Sequence, residues 1–385
     1  MGWGDGAVGG TGRRELAAAL GARAPYAPKV LLTFLLLPAL VGCTHDDDDD
    51  SSTLDSDLDT SDTSDTSDTS DTSDTAAVES IAPPADFTAA AWFTVPRDRG
   101  LAWERDPTFA IVEFTVPQFV VTADGVVHLY ATNMADTTGR WELTGTDGVE
   151  WEDRGAAYLP GAFAPLDCGD RLEDIAPLYR PGGLDLVAEG SFNPDPRAPA
   201  EWRRFCLLSD ADPGPAVPDT ESFFYVGEPE DNEQISVPAF ALLEDWSARL
   251  YIVGNLGQPG EGIRVIDVSA DGLAGAPLQA GAILPSTDVD PLAVYLAEGG
   301  VRLYHTHGHG GGPGYADSLD GITFTDDAGL IPHAGDDCAQ VGGECLLDPA
   351  FLHLPDDRLV LYFTRLVKNG DGTYSAQIER AFATD

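Results

Sequence analysis

The chain has 385 residues, of which 65 are acidic and 21 basic, for a formal net charge of −44. A field of that sign repels nucleic acid and anionic lipid and leaves neutral or cationic partners, or solubility in a salty exterior. Nucleic acid is therefore excluded as a partner, and the composition does not bear on the oligomeric state.

At the N-terminus, Arg13, Arg14, Arg23 and Lys29 precede an apolar run, residues 30–41, that is too short to span a bilayer and has the flanks of an export signal. The run closes on Leu-Val-Gly-Cys at residues 40–43, which resembles the lipobox of bacterial lipoproteins. The resemblance implies a signal peptide over residues 1–42 and a Cys43 that is lipidated as the first residue of the mature chain. Membrane contact would then run through the lipid anchor only. Thr44 follows the cysteine in place of Asp, which under the sorting logic of such lipoproteins implies the outer membrane or cell surface. An ordinary export signal with an incidental cysteine is the alternative.

Residues 43–80 are five aspartates followed by a Ser-Asp-Thr repeat with almost no apolar side chain. Such a segment cannot bury enough surface to offset its ordering entropy, so it is expected to be an extended, self-repelling tether. Residues 81–385 carry 49 acidic and 17 basic side chains, net −32, and suffice for one large all-β domain.

This domain contains Cys168, Cys206, Cys338 and Cys345. An even count in an exported domain predicts two disulfides. Nearness pairs Cys338 with Cys345 and Cys168 with Cys206, although three connectivities are open. Metal ligation by these cysteines is the alternative, and no Cys-x-x-Cys pair speaks for it.

A hairpin pattern recurs five times. It begins at Pro117, Pro177, Pro238, Pro291 and Pro349, which stand 60, 61, 53 and 58 residues apart. In four of the five, a tyrosine stands thirteen residues after the proline: Tyr130, Tyr251, Tyr304 and Tyr362. A second mark comes after most hairpins, a Ser or Thr before Asp-Gly, as at Asp147-Gly148, Asp271-Gly272 and Asp320-Gly321. Asp-Gly makes a tight turn, with Gly taking the positive φ and Asp bonding back to the backbone. Trp151 and Phe324 come after two of these turns and are expected to pack between sheets.

Each unit thus reads as hairpin, third strand, turn and fourth strand, the four-stranded blade of a β-propeller. The fifth unit reaches only its turn at Asp385. Residues 100–114, in turn, resemble the stretch after the turn of the first unit, with Trp103 in the place of Trp151. The predicted fold is an all-β, five-bladed propeller whose ring is closed by an N-terminal strand completing the last blade, which removes a free edge. An irregular β-sandwich is the alternative, but it would not produce a period near 58 residues.

Five blades, Asp-Pro opening an inner strand at Asp290 and Asp348, Leu-Tyr-Phe at residues 361–363 and the Asp-Gly turn before an aromatic together resemble the five-bladed glycosidase propellers, glycoside hydrolase families 43, 32, 62 and 68. The likeness covers roughly residues 86–385. It implies a carbohydrate partner and three acids from the first three blades, converging at one mouth of a central funnel. One carboxyl group would protonate the leaving oxygen and another would activate water or attack the anomeric carbon. This sequence departs from that pattern. Val116 stands where the first-blade base is expected, Ala176 precedes the second proline with Asp174 nearby, and no Glu occupies the third-blade place at Ser236 and Val237, although Asp231 and Glu233 are close. The candidate catalytic set is therefore Asp174, Glu233, Asp290 and Asp348. The bland reading gives Asp290 and Asp348 to strand starts, where their carboxylates bind backbone N–H groups.

His305 and His307 alternate on one strand face, and His309 lies just beyond in a Gly-rich loop. Imidazoles at this spacing suit zinc, copper or nickel, with a nearby carboxylate completing the site. The alternative is a solvated surface loop. The resemblance adds an expectation of a cation on the propeller axis. No cofactor is required by the sequence, and an axial or loop-bound metal ion is the one that fits it. Trp92, Trp141, Trp202 and Trp246 are expected mostly as blade packing, with one or two free to stack on a sugar ring at the mouth. Two functions are compatible with this reading: hydrolysis or transfer on a neutral glycan, and non-catalytic binding of glycan or protein at the cell surface.

Overall fold

The computed structural model describes residues 80–134, 136–158, 171–181, 183–192, 202–208, 223–225, 234–271, 274–279, 281–284, 288–308, 311–326, 331 and 340–385. The expected signal peptide, Cys43 and most of the tether lie outside these, as do Glu233, His309, Cys168 and Cys338.

Three short strands, β1 (Thr94–Val95), β2 (Trp103–Arg105) and β3 (Ile111–Val112), precede the first blade. Blade one holds β4 (Phe114–Val121), β5 (Val127–Asn133), β6 (Asp136–Gly145) and β7 (Glu152–Tyr158). Blade two holds β8 (Arg171–Arg180), β9 (Gly183–Phe192), β10 (Trp202–Leu208) and β11 (Phe223–Tyr225). Blade three holds β12 (Ser236–Leu242), β13 (Ala248–Gly254), β14 (Gly262–Val268) and β15 (Ala274–Pro277). Blade four holds β16 (Val289–Leu296), β17 (Val301–Thr306), β18 (Pro313–Ser318) and β19 (Thr325–Asp326). Blade five holds β20 (Glu344–His353), β21 (Leu359–Lys368) and β22 (Tyr374–Ala383).

Within each blade successive strands pair in sequence order, giving the five-bladed all-β propeller. The fifth blade takes its fourth strand from the N-terminus: β2 lies antiparallel to β22 with Trp103 opposite Ala383. A parallel pairing of β1 with β16, placing Thr94 opposite Tyr295, adds a strand to the inner edge of blade four. Nothing in the two-residue pattern of β1 foretold it.

The two repeat marks turn out to bind each other across blade boundaries. Tyr251 donates its hydroxyl to the Gly321 carbonyl at 3.0 Å, and Tyr362 donates to Gly148 at 2.8 Å. All four repeat tyrosines are buried. The aromatic after the turn then packs edge-on against the same tyrosine: Phe324 on Tyr251, Trp151 on Tyr362 and Trp103 on Tyr304. Trp103 therefore plays in blade five the part that Trp151 plays in blade one. These contacts are repeated because each blade must bury one face against the next.

Blade two departs from the expected register. In the other four blades the inner strand bulges at the residue pair that ends in proline, so that Gln118, Ala239, Leu292 and Ala350 come after the bulge and pair with the repeat tyrosines. In blade two the bulge falls at Glu173-Asp174, and Ile175 comes after it, opposite Ala188. The proline alignment of that unit is thus off by three residues, and Pro177 lies deeper along β8. Glu173 occupies the place held elsewhere by Val116, Val237, Asp290 and Asp348.

Candidate functional site at the funnel mouth

The inner strands β4, β8, β12, β16 and β20 surround an axial cavity of about 820 Å³, counting its open part. Its floor lies where Tyr179 and Tyr295 stand late in their strands. Phe87 from the N-terminal segment packs there, tilted against Tyr179 at 4.7 Å and edge-on to Tyr295 at 6.4 Å. Burial pushes both phenols far above their ordinary range, and each hydroxyl accepts a backbone N–H, from Val121 and Leu242. These tyrosines are structural.

The opposite end is formed by the bulges. Val116, Val237, Asp290 and Asp348 have φ between +50° and +54°, the left-handed region that β-branched side chains rarely enter. Among the described residues, backbone N–H groups within the bulges or directly after them are bound from the preceding blade at four junctions. Val116 donates to Thr364 Oγ1 at 2.7 Å, Ile175 to Gln118 Oε1, Val237 to Glu189 Oε2 at 3.0 Å and Asp348 to Asp290 Oδ2 at 3.4 Å. Polar contacts thereby join neighbouring blades around the mouth at these four junctions.

Among the candidate acids, Asp290 and Asp348 line the cavity beside each other, and among the described residues they are its only acidic lining side chains. Asp174 does not line it. It is buried in the blade-two bulge, within electrostatic reach of Glu189 and Arg203. His305 and His307 also lie off the axis, against Asp288. Of the tryptophans, Trp246 packs edge-on against Phe87 at the floor, not at the mouth.

A second acidic group, missed from the sequence, flanks the mouth. Glu189 in β9 is fully buried, accepts the Ser236 hydroxyl at 2.7 Å and contacts Arg203, whose Nη1 also lies 2.7 Å from Glu173. Burial raises Glu189 well above the usual carboxylate range. Arg203 pulls the other way, but Glu173 and Asp174 compete for the same guanidinium and push the group up again. Burial thus pushes Glu189 towards its protonated form, placed behind Ser236 and Val237, whose O–H and N–H groups it accepts. Its one sequence signal is a lone acidic residue in the otherwise apolar Leu-Val-Ala-Glu of β9. Glu173 is the member of this group that meets solvent.

No family model matches the chain, and no curated protein matches it. Solved structures do. A thermostable family-43 glycoside hydrolase matches with a TM-score of 0.54 at 16% identity, over 72% of this chain and 92% of that one. Bacteroides ovatus GH43B of the xyloglucan PUL matches with a TM-score of 0.50 at 12% identity, over 72% of this chain and 53% of that one. The chain is a five-bladed propeller structurally similar to family-43 glycoside hydrolases.

Proposed function

We propose that this protein is a surface-anchored propeller of the glycosidase type that acts on a neutral glycan at the funnel mouth. One observation carries the reading: among the described residues, Asp290 and Asp348 are the only acidic side chains lining a cavity whose other walls are largely apolar and aromatic. Such a wall suits the apolar C–H faces of a sugar, and two carboxyl groups suffice for glycosidic cleavage. The net charge of −32 over residues 81–385 disfavours an anionic polysaccharide. Glu189, which burial pushes towards its protonated form behind Ser236, supports a proton-donating role on the third-blade side. The anchor rests on Leu-Val-Gly-Cys at residues 40–43 and on the acidic tether after it. Export is further supported by Cys206 and Cys345, both disulfide-bonded, for which Cys168 and Cys338 are the partners nearest in sequence.

A second reading, a non-catalytic glycan-binding propeller, is favoured by Val116 and Val237. They stand where the resemblance to glycosidases places a base and an acid, and the Asp290 carboxylate already accepts the Asp348 N–H. The test is reducing-sugar release by the purified protein from arabinan, xylan, fructan and galactan, with Asp290→Asn and Asp348→Asn in parallel. Release that either substitution abolishes establishes hydrolysis. Binding of one of these glycans without release, weakened by the same substitutions, establishes the second reading.

A further inference from the structure

Blade four carries a side-chain cluster that the funnel does not use. Asp288 stands just before β16, and His305 and His307 lie at the end of β17 and one residue past it, on the hairpin partner of β16. Donor atoms of the three side chains all lie within 4.8 Å of one another. His307 Nδ1 is 3.1 Å from Asp288 Oδ1, and His305 Nδ1 is 3.8 Å from Asp288 Oδ2. The second separation is beyond hydrogen-bond reach. Asp288 Oδ2 is thus buried with no hydrogen-bond partner although an imidazole faces it.

Leaving a buried carboxylate oxygen unmatched is costly, and here solvent offers little relief: Asp288 is 3% exposed. The two imidazole rings stand 4.7 Å apart at 86° to each other. Glycines make room for this arrangement. A Cβ at Gly314 would collide with the His307 ring, and one at Gly311 with the His307 carbonyl.

We propose that Asp288, His305 and His307 bind a first-row divalent cation of the zinc type, which clamps the start of the blade-four inner strand. Two neutral imidazoles and one carboxylate match the borderline-soft ions of that row, whereas calcium and magnesium demand more oxygen donors than the cluster offers. Bond lengths of roughly 2.0–2.2 Å place tetrahedral ligand atoms about 3.4 Å apart, a spacing that the 3.1 and 3.8 Å separations bracket. The cluster is separate from the funnel, since none of the three residues lines the axial cavity. Its consequence for the mouth is mechanical: Asp288 lies two residues ahead of Asp290 on the same strand start.

The full chain, stripped with a chelator, is titrated with zinc chloride and separately with calcium chloride, by calorimetry and by thermal melting. One zinc per chain is expected, with the melting temperature raised by about 4 °C at zinc a hundredfold above its dissociation constant, and neither effect with calcium. His307→Gln, at the most exposed of the three ligands, and Asp288→Asn should each weaken zinc binding by about tenfold or more. A parent protein that takes up no zinc, or whose melting temperature zinc does not move, overturns the proposal. So does either variant, melting like the parent in chelator, if it binds zinc as tightly as the parent.

Discussion

Asp385 accepts the backbone N–H groups of Gly100 and Leu101, at 3.0 and 2.7 Å. In blade one Asp147 binds the N–H groups of Val149 and Glu150, and in blade four Asp320 binds those of Ile322 and Thr323. The Asp-Gly turn of blade five is therefore assembled from two distant stretches of chain, and it is the point at which the ring closes. Truncating the side chain to a methyl group removes both bonds while Trp103 and β2 keep their packing. Asp385→Ala should lower stability by about 1 kcal/mol, the lower range for charge-assisted bonds at an exposed site, and open the N-terminal strand first. Hydrogen exchange at Trp103–Arg105 checks this; unchanged protection there would show that β2 is held by packing alone.

The inter-blade tyrosine bond makes a sharper demand on the turn glycine. Gly321 has φ +69°, and a Cβ there would meet Ile81 and stand 2.8 Å from the Tyr251 hydroxyl. Gly125 has φ +82° with nothing within 4 Å of such a Cβ. Gly125→Ala should thus cost only the left-handed strain, about 1–2 kcal/mol. Gly321→Ala adds a displaced Tyr251 and should cost at least about 2 kcal/mol more. Urea denaturation of the two variants measures the difference, and equal losses would remove the tyrosine–turn contact from any role in blade cohesion.

Much of this architecture was legible because the sequence repeats the residues that touch. The proline, the tyrosine thirteen residues on and the Asp-Gly turn recur since Tyr251, Tyr304 and Tyr362 each meet the next blade's turn. Blade two was misread for the converse reason. Its bulge carries Glu173-Asp174, its tyrosine position is Ala188, and Pro177 offered a false register mark. The acids divide along the same line. Asp290 and Asp348 stood out because proline follows them, whereas Glu189 acts across a blade boundary on Ser236, and no spacing along the chain expresses that contact. Asp288 escaped notice because its partners lie on the adjoining strand, at a separation set by the length of the hairpin turn.

Left-handed backbone at the bulges predicts which side chains Asp348 will tolerate. At φ +51° a short polar side chain adopts the conformation at little cost, while a β-branched one is strained by about 1–3 kcal/mol. Asp348→Asn should fold with stability within about 0.5 kcal/mol of the parent, so loss of activity or binding in that variant would be a chemical effect. Asp348→Val should lose about 1–2 kcal/mol. Thermal melting of both separates the cases, and an Asn variant as unstable as the Val variant would mean that the carboxylate itself holds the bulge.

Glu189 should write its buried proton into the pH dependence of stability. Its folded-state pKa lies well above the 4.5 of an ordinary glutamate, first because of burial and then because Glu173 and Asp174 share its one cation, Arg203. Below about pH 4.5 folded and unfolded chains both carry the proton, so the group contributes no slope. Above that value the unfolded chain releases the proton while the folded chain retains it. Stability then falls with rising pH, by about 1.4 kcal/mol per pH unit for a full proton, until the folded pKa is reached. Glu189→Gln has nothing to titrate and should lack that fall, so its stability relative to the parent rises above pH 4.5 until the folded pKa of Glu189 is reached. The constant offset depends on how the amide settles against Val237 and Arg203, which is why the slope is the readout. Denaturant titrations at four pH values across the window decide the matter. Parallel curves for parent and variant would mean that Arg203 holds Glu189 ionised, and would remove it as a proton donor at the mouth.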